Sequence, residues 1–194
     1  MYKLSVPVSF NSVTDKTMPV FLENFRKCKV DRVFLSMLEP VYDPDNFICA
    51  NEEKAERAIR YFKDNGLEVG VWIGGFGHGG VLSHEKNSLD KDRFVPMEGV
   101  YGDKFGYAYC PLDENFAKHY SEIVRKVAAM HPDLIMLDDD YRLNLRQYYM
   151  GCFCPLHRKE YFRRIGEEIP RKKLESLIFT GGKNKYRSAY LKLS

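Results

Sequence analysis

The chain reads as an α/β protein of parallel strand–helix units, about the first four units of a (β/α)8 barrel, in other words a partial TIM barrel. Three observations predict this. Apolar residues alternate between strand and helix periodicity along most of the 194 residues. No Gly-x-Gly-x-x-Gly follows the first strand, as a dinucleotide-binding doubly wound sheet would require. The chemically distinctive residues gather after the second, third and fourth strands, where a barrel places its site.

Residues 2–10 form the first strand. Met18, Phe21, Leu22, Phe25 and Cys28 follow at helical spacing. Residues 32–38 make a buried second strand. Ala55, Ala58, Ile59 and Phe62 mark the next amphipathic helix, stopped by Asn65-Gly66. Residues 67–73 are the third strand. Residues 74–109 read as a long irregular stretch rich in glycine and aromatics, a length that inside a domain points to function. Asp113 caps a third helix whose buried face is Phe116, Tyr120, Ile123, Val124 and Val127. His131-Pro132 ends it, and residues 133–137 form the fourth strand. A helix after Pro155 buries Leu156, Phe162 and Ile165. Further short helices occupy residues 171–179 and 185–193. Because a barrel normally needs roughly 250 residues, the chain is expected to be one domain, 1–194, the N-terminal half of a barrel that is truncated or completed by another chain; a compact four-stranded α/β domain is the competing view. Open sheet edges would make homo-oligomers an outcome to test.

Composition narrows the class. Hydrophobic residues are 44% and charged residues 29%, as in globular domains rather than disordered chains. The N-terminus lacks the features of a signal peptide and no apolar run spans a bilayer. Five cysteines without a secretion signal favour reduced thiols in the cytoplasm. From Arg158 onward eleven Lys and Arg face four acidic residues, a balance of +7, which leaves −4 for the rest of a chain of net charge +3. No nucleic-acid motif accompanies these cations, so they read as a solvated helix face, and neither nucleic acid nor membrane is an expected partner.

Gly-Cys-Phe-Cys-Pro-Leu-His supplies Cys152, Cys154 and His157 within six residues. Thiolates with imidazole form the tetrahedral sets that zinc prefers. Pro155 suits the first position of a helix, which places Cys154 at a helix N-terminus. Cys110, in Cys-Pro-Leu-Asp, also precedes a helix, and topology should bring it to the other three at one rim. Four protein ligands leave no open position, so the zinc would be structural. The bland alternative is four unrelated residues. Cys28 and Cys49 read as core or helix-packing thiols.

Asp138, Asp139 and Asp140 follow the fourth strand directly. Crowded carboxylates repel, so one can stay protonated while a neighbour ionises, as general acid/base chemistry requires. An acidic turn, a divalent-cation site or helix capping are the alternatives. Tyr141 and Arg142 follow as candidate substrate contacts. Glu39 ends the second strand. The loop Gly-Gly-Phe-Gly-His-Gly-Gly lacks the Lys-Ser/Thr of a P-loop. Its glycines would let backbone approach a ligand, with His78 and Trp72 as candidate sugar contacts. Phe76, Tyr101, Phe105, Tyr107 and Tyr109 are available for stacking on sugar rings, or for the core.

Cys-Phe-Cys-Pro-Leu-His-x-x-x-x-Phe-Arg-Arg resembles the Cys-Tyr-Cys-Pro-x-Cys-x-x-x-Phe-Arg segment of zinc-containing β-galactosidases, which belong to the clan A (β/α)8 glycoside hydrolases. Those enzymes take a further cysteine from a Cys-Pro context after strand three, as in Cys110-Pro111 here. Their fourth strand ends in Asn-Glu, the Glu being the acid/base. The resemblance maps Asp139 onto that Asn and Asp140 onto that Glu. It spans residues 109–164. Asp stands for Glu, His157 stands for a cysteine, and the interval to the cysteines is longer. The family's nucleophile lies on strand seven, so none is assigned here. The resemblance implies a glycoside hydrolase domain with Asp140 as acid/base, Asp138 or Asp139 orienting substrate, and a structural zinc. The fragment alone should bind sugar weakly and turn over little. A metal-dependent hydrolase using the three aspartates, and a non-catalytic carbohydrate-binding module, are the competing readings.

Overall fold

The computed structural model describes residues 2–37, 44–74, 94–138 and 151–193, with backbone only for 44–50 and 105–108. These residues gather into two compact units. The first comprises Met1–Gly75 and Tyr120–Asp138, the second Phe76–His119 and Asp139–Ser194.

The first unit is built on four parallel strands, β1 (Ser5–Ser9), β2 (Arg32–Ser36), β3 (Glu68–Ile73) and β6 (Leu134–Leu137), in the spatial order β1-β2-β3-β6. Strands thus lie in chain order. Between them run α1 (Met18–Lys27), α2 (Pro44–Asp64) and α3 (Glu114–Ala129), the last continuing across the division between the units. Alternate residues of each strand point to opposite faces. Val6 and Val8, Val33 and Leu35, Val69, Val71 and Ile73, and Ile135 pack with Leu22, Phe25, Ile59, Phe62, Ile123 and Val127 of the helices. All three helices therefore cover one face. A doubly wound sheet would reverse its strand order and coat both faces. Sequential order with helices on one side is the (β/α)-barrel arrangement, so the predicted fold class stands: parallel (β/α) units forming part of a TIM barrel.

The opposite face carries Pro7, Phe34, Gly70 and Leu134, and one layer further on Ser9, Ser36, Trp72 and Met136. Gly70 is required there, because a Cβ would lie 2.4 Å from the Phe34 ring. Near the strands' N-terminal ends Asp133 ties β3 to β6. Its carboxylate accepts from the Val69 amide at 2.8 Å and pairs with Lys63 of α2 at 2.9 Å. Partial burial opposes the charge, but the Val69 amide and the Lys63 ammonium outweigh it and hold the carboxyl below its usual range. A folded-state value below the unfolded one contributes stability above the unfolded value, lost as pH falls through the folded one. Asp133→Ala should cost about 1 kcal/mol at pH 7, discounted for its exposure. The gap between wild-type and variant urea midpoints should close below about pH 4; a gap unchanged at pH 3 would argue against this clamp.

The second unit contains an antiparallel hairpin, β4 (Pro96–Glu98) with β5 (Lys104–Tyr109), the start of α3, and α4 (Pro155–Ile165), α5 (Arg171–Phe179) and α6 (Lys185–Leu191). The hairpin lies inside the stretch expected to be irregular, which is a correction. Gly102, at φ +103°, supplies the left-handed position of its turn. Phe153 donates its N–H to the Glu98 carbonyl at 2.7 Å, joining the cysteine segment to β4. Arg171 binds Glu98 at 2.6 Å, the Gly99 carbonyl at 2.9 Å and the Phe153 carbonyl at 3.2 Å. Phe153, Tyr161, Leu174, Ile178 and Tyr190 form the core of this unit.

Two local expectations are corrected. The buried residues of α4 are His157 and Tyr161. Leu156, Phe162 and Ile165 are half-buried, because the inward face of this helix is set by ligand clustering and a tyrosine rather than by its aliphatics. Cys28 is exposed at the end of α1 rather than in the core. Helix α2, which the sequence marks by Ala55, Ala58, Ile59 and Phe62, runs Pro44–Asp64. Among the described residues no helix is long and apolar enough to cross a membrane.

Candidate functional site

The second unit assembles a compact donor set. Cys110 follows β5, while Cys154 is the N-cap of α4 with Pro155 opening the helix. His157 lies in its first turn, so a single helical turn presents both ligands to one side. Asp113 fixes the Cys110 segment: its carboxylate accepts from the Val95 amide at 2.6 Å and caps α3 through the Asn115 amide at 3.0 Å. The Cys110 amide donates to the Val95 carbonyl at 2.8 Å. Met97 of β4 packs against Cys110, Cys152 and Cys154.

One donor atom from each of Cys110, Cys152, Cys154 and His157 lies within 4.8 Å of all the others, and all four residues are buried. The Cys110 thiol is 3.0 Å and the Cys154 thiol 3.8 Å from His157 Nδ1. A tetrahedral zinc with ordinary Zn–S and Zn–N bonds sets its ligand atoms roughly 3.5–3.8 Å apart. The donor chemistry fits such an ion, and the separations, from 3.0 Å to at most 4.8 Å, bracket that geometry. The sequence foresaw these four residues together. It did not foresee how: they are joined by an antiparallel hairpin within the second unit, not by neighbouring crossovers of the parallel sheet.

Thiols this close cannot all ionise without an ion. Hydrogen bonds from Cys110 and then Cys152 hold the Cys154 thiol far below its usual range. Cys110 is pushed far up by its bonds to Cys152 and Cys154 and by burial. At Cys152 the bond with Cys110 lowers the value, but Cys154 and burial prevail and carry it to about 12. Crowding of this kind favours a single thiolate, and a divalent cation would let the other sulfurs ionise.

The first unit places Trp72 and Asp138. Both lie on the face opposite α1, α2 and α3, at the strands' C-terminal ends. Asp138 continues the alternation of Leu134 and Met136, and its amide donates to the Ile73 carbonyl at 2.9 Å. Its side chain is half-buried and has interactions of its own. The Trp72 indole N–H is buried without a hydrogen-bond partner, a situation worth about 1–3 kcal/mol against the fold. Glu39, His78, Asp139, Asp140, Tyr141 and Arg142 lie outside the described residues, as does the side chain of Cys49. Tyr109 belongs to a buried aromatic cluster with Phe94 and Phe116, whereas Tyr101 is exposed. Arg171, which ties the hairpin to the cysteine segment, carried no signal in the sequence beyond its place in a basic run.

No family model matches the chain. No curated protein matches its sequence. Several solved structures share its fold. A polyextremophilic β-galactosidase from the Antarctic haloarchaeon Halorubrum lacusprofundi aligns with a TM-score of 0.64 at 12% identity, covering 99% of this chain and 32% of that one. A β-galactosidase from the psychrophilic Marinomonas ef1 aligns at 0.57 and 12%, covering 96% and 29%. The catalytic domain of a β-amylase from Paenibacillus polymyxa aligns at 0.51 and 14%, covering 94% and 50%. The chain therefore spans a third or less of the two β-galactosidases. Likeness at such identities establishes the fold alone, a parallel (β/α) arrangement shared with these structures.

Proposed function

We propose that this chain is the N-terminal part of a glycoside hydrolase barrel, acting on glycosidic bonds by carboxylate acid/base catalysis. The supporting observation is Asp138, which β6 carries to the C-terminal end of the sheet on the face the helices leave open. That is where (β/α) barrels place reacting groups. Asp140, next on the same side if the chain stays extended, takes the acid/base role. Asp138 and Asp139 orient substrate or tune that acid. Hydrolysis would pass through an oxocarbenium-like state, with the acid protonating the leaving oxygen. Glu39, Trp72, His78, Tyr141 and Arg142 are the proposed substrate contacts. Cys110, Cys152, Cys154 and His157 would hold zinc, which with four protein ligands supplies cross-linking rather than a reactive position.

The test is hydrolysis of nitrophenyl β-galactosides and glucosides at high protein concentration, for wild type and Asp140→Asn. Slow turnover that falls about 100-fold or more in the variant supports the reading. Turnover indifferent to Asp140→Asn removes the acid/base assignment. Activity abolished by chelating an oxygen-ligated cation would select a metal-dependent hydrolase. Glycan binding with no turnover in either protein would select a carbohydrate-binding module.

A further inference from the structure

The parallel register sets Ser9, Ser36, Trp72 and Met136 side by side across all four strands of the first unit. They form one row on the face opposite α1, α2 and α3, one layer before Asp138. Neighbouring strands lie about 4.8 Å apart, so the polar part of this row covers about 10 Å. The row combines an indole donor, two hydroxyls and a thioether. Among the described residues neither serine hydroxyl makes a hydrogen bond, and the indole nitrogen is buried with none. Buried indole N–H groups ordinarily find an acceptor, and an orphan in a native fold calls for one supplied from outside. Most of the other side-chain donors of this sheet face are satisfied: Arg32 and Lys3 both bind Glu68 at the opposite, N-terminal end. Among the described residues of this face, the orphaned buried donor is the Trp72 indole N–H at the C-terminal end, flanked by half-buried Ser36 and exposed Ser9.

We propose that the Trp72 indole N–H binds a hydroxyl or ring oxygen of a sugar, with Ser36 and Ser9 extending the polar floor and Met136 meeting an apolar ring face. The contact is thus made by the edge of the indole, not by stacking on its face. This rests on the carbohydrate reading above and assigns Trp72 a ligand-binding role, not a catalytic one.

Trp72 is the single tryptophan of the chain, so a ¹⁵N-labelled sample has one indole cross-peak. That peak is followed while methyl β-D-galactopyranoside, and separately maltose, is added. Saturation transfer to the sugar protons reports binding independently. The expected result is a saturable downfield shift with at least one sugar. Trp72→Phe, which keeps a ring and loses the donor, should weaken that sugar about five-fold. Ser36→Ala serves as the second variant should Trp72→Phe not fold, and should weaken the same sugar by a similar factor. Binding of a sugar without movement of the indole peak overturns this inference and leaves the carbohydrate reading intact. No binding of either sugar overturns both. A peak already downfield in the free protein and unmoved by sugar identifies a resident water as the acceptor, and also overturns it.

Discussion

Cys154→Ser, or treatment with a strong chelator, is expected to collapse the second unit while leaving the first folded. The four donors come from two chain segments separated by more than forty residues, Cys110 on one side and Cys152, Cys154 and His157 on the other. Those donors sit with Met97, Val95 and Leu156 in a small apolar cluster whose four buried members include the three cysteines. Besides that cluster, the hairpin and the cysteine segment are tied by the Phe153–Glu98 hydrogen bond and by Arg171, contacts individually far weaker than a zinc site. Structural zinc sites contribute apparent binding energies of about 10–16 kcal/mol in small domains, so losing one ligand should remove several kcal/mol. The first unit has its own core, running from Val8 to Met130, which shares no residue with the clusters of the second. Elemental analysis should find one zinc per chain in wild type and far less in Cys154→Ser. Near-ultraviolet dichroism from the stacked Phe153–Tyr190 pair should vanish, with much of the far-ultraviolet signal retained. A metal-free wild type with an intact aromatic signal would end the zinc proposal.

Among the described glycines of the second unit, Gly151→Ala should be the most damaging. Gly151 has φ +80°, and a Cβ built there lies 1.9 Å from Tyr190 Oη and 2.9 Å from its Cζ. Tyr190 has little room to retreat. It is 7% exposed, stacks parallel on Phe153 at 5.4 Å and meets Phe179 edge-on at 5.4 Å. The left-handed backbone costs about 1–2 kcal/mol for an L residue, and overpacking adds about 1–3 kcal/mol. The expected loss is therefore about 2–5 kcal/mol in urea unfolding. Gly166→Ala is the control: its φ is +79° but nothing lies within 4 Å of the added carbon. It should show the backbone cost alone. Tyr190→Phe, which deletes the nearest clashing atom, should recover part of the loss in the Gly151→Ala background. Equal losses at the two glycines would show that the ring yields freely.

The parallel sheet was legible because its strands are short apolar runs and its helices carry wide stripes such as Leu22, Phe25, Ile59 and Phe62. The four metal-type ligands were legible because Cys-x-Cys-x-x-His is a local pattern with few structural uses. The hairpin was not. Its strands have three and six residues, and the glycines flanking Val100 and Tyr101 were absorbed into a glycine-rich stretch that reads as loop. Yet Gly99 and Gly102 around an alternation of Phe105, Tyr107 and Tyr109 was the available signal. The inward face of α4 was misjudged for a related reason. Periodicity weighs aliphatics, and it cannot know that a histidine will be drawn inward by three thiols.

Strand order in the first unit also dictates how the chain must assemble. Each of β1, β2 and β3 meets the strand that immediately precedes or follows it, so this part can form as synthesis proceeds. β6 must wait until residues 74–133 have emerged before it finds Ile73 and its neighbours. Closing so long an interval is slow compared with pairing adjacent units. The acidic end of the sheet is consequently the last portion to be completed, and substitutions in β6 should hasten unfolding more than they delay folding.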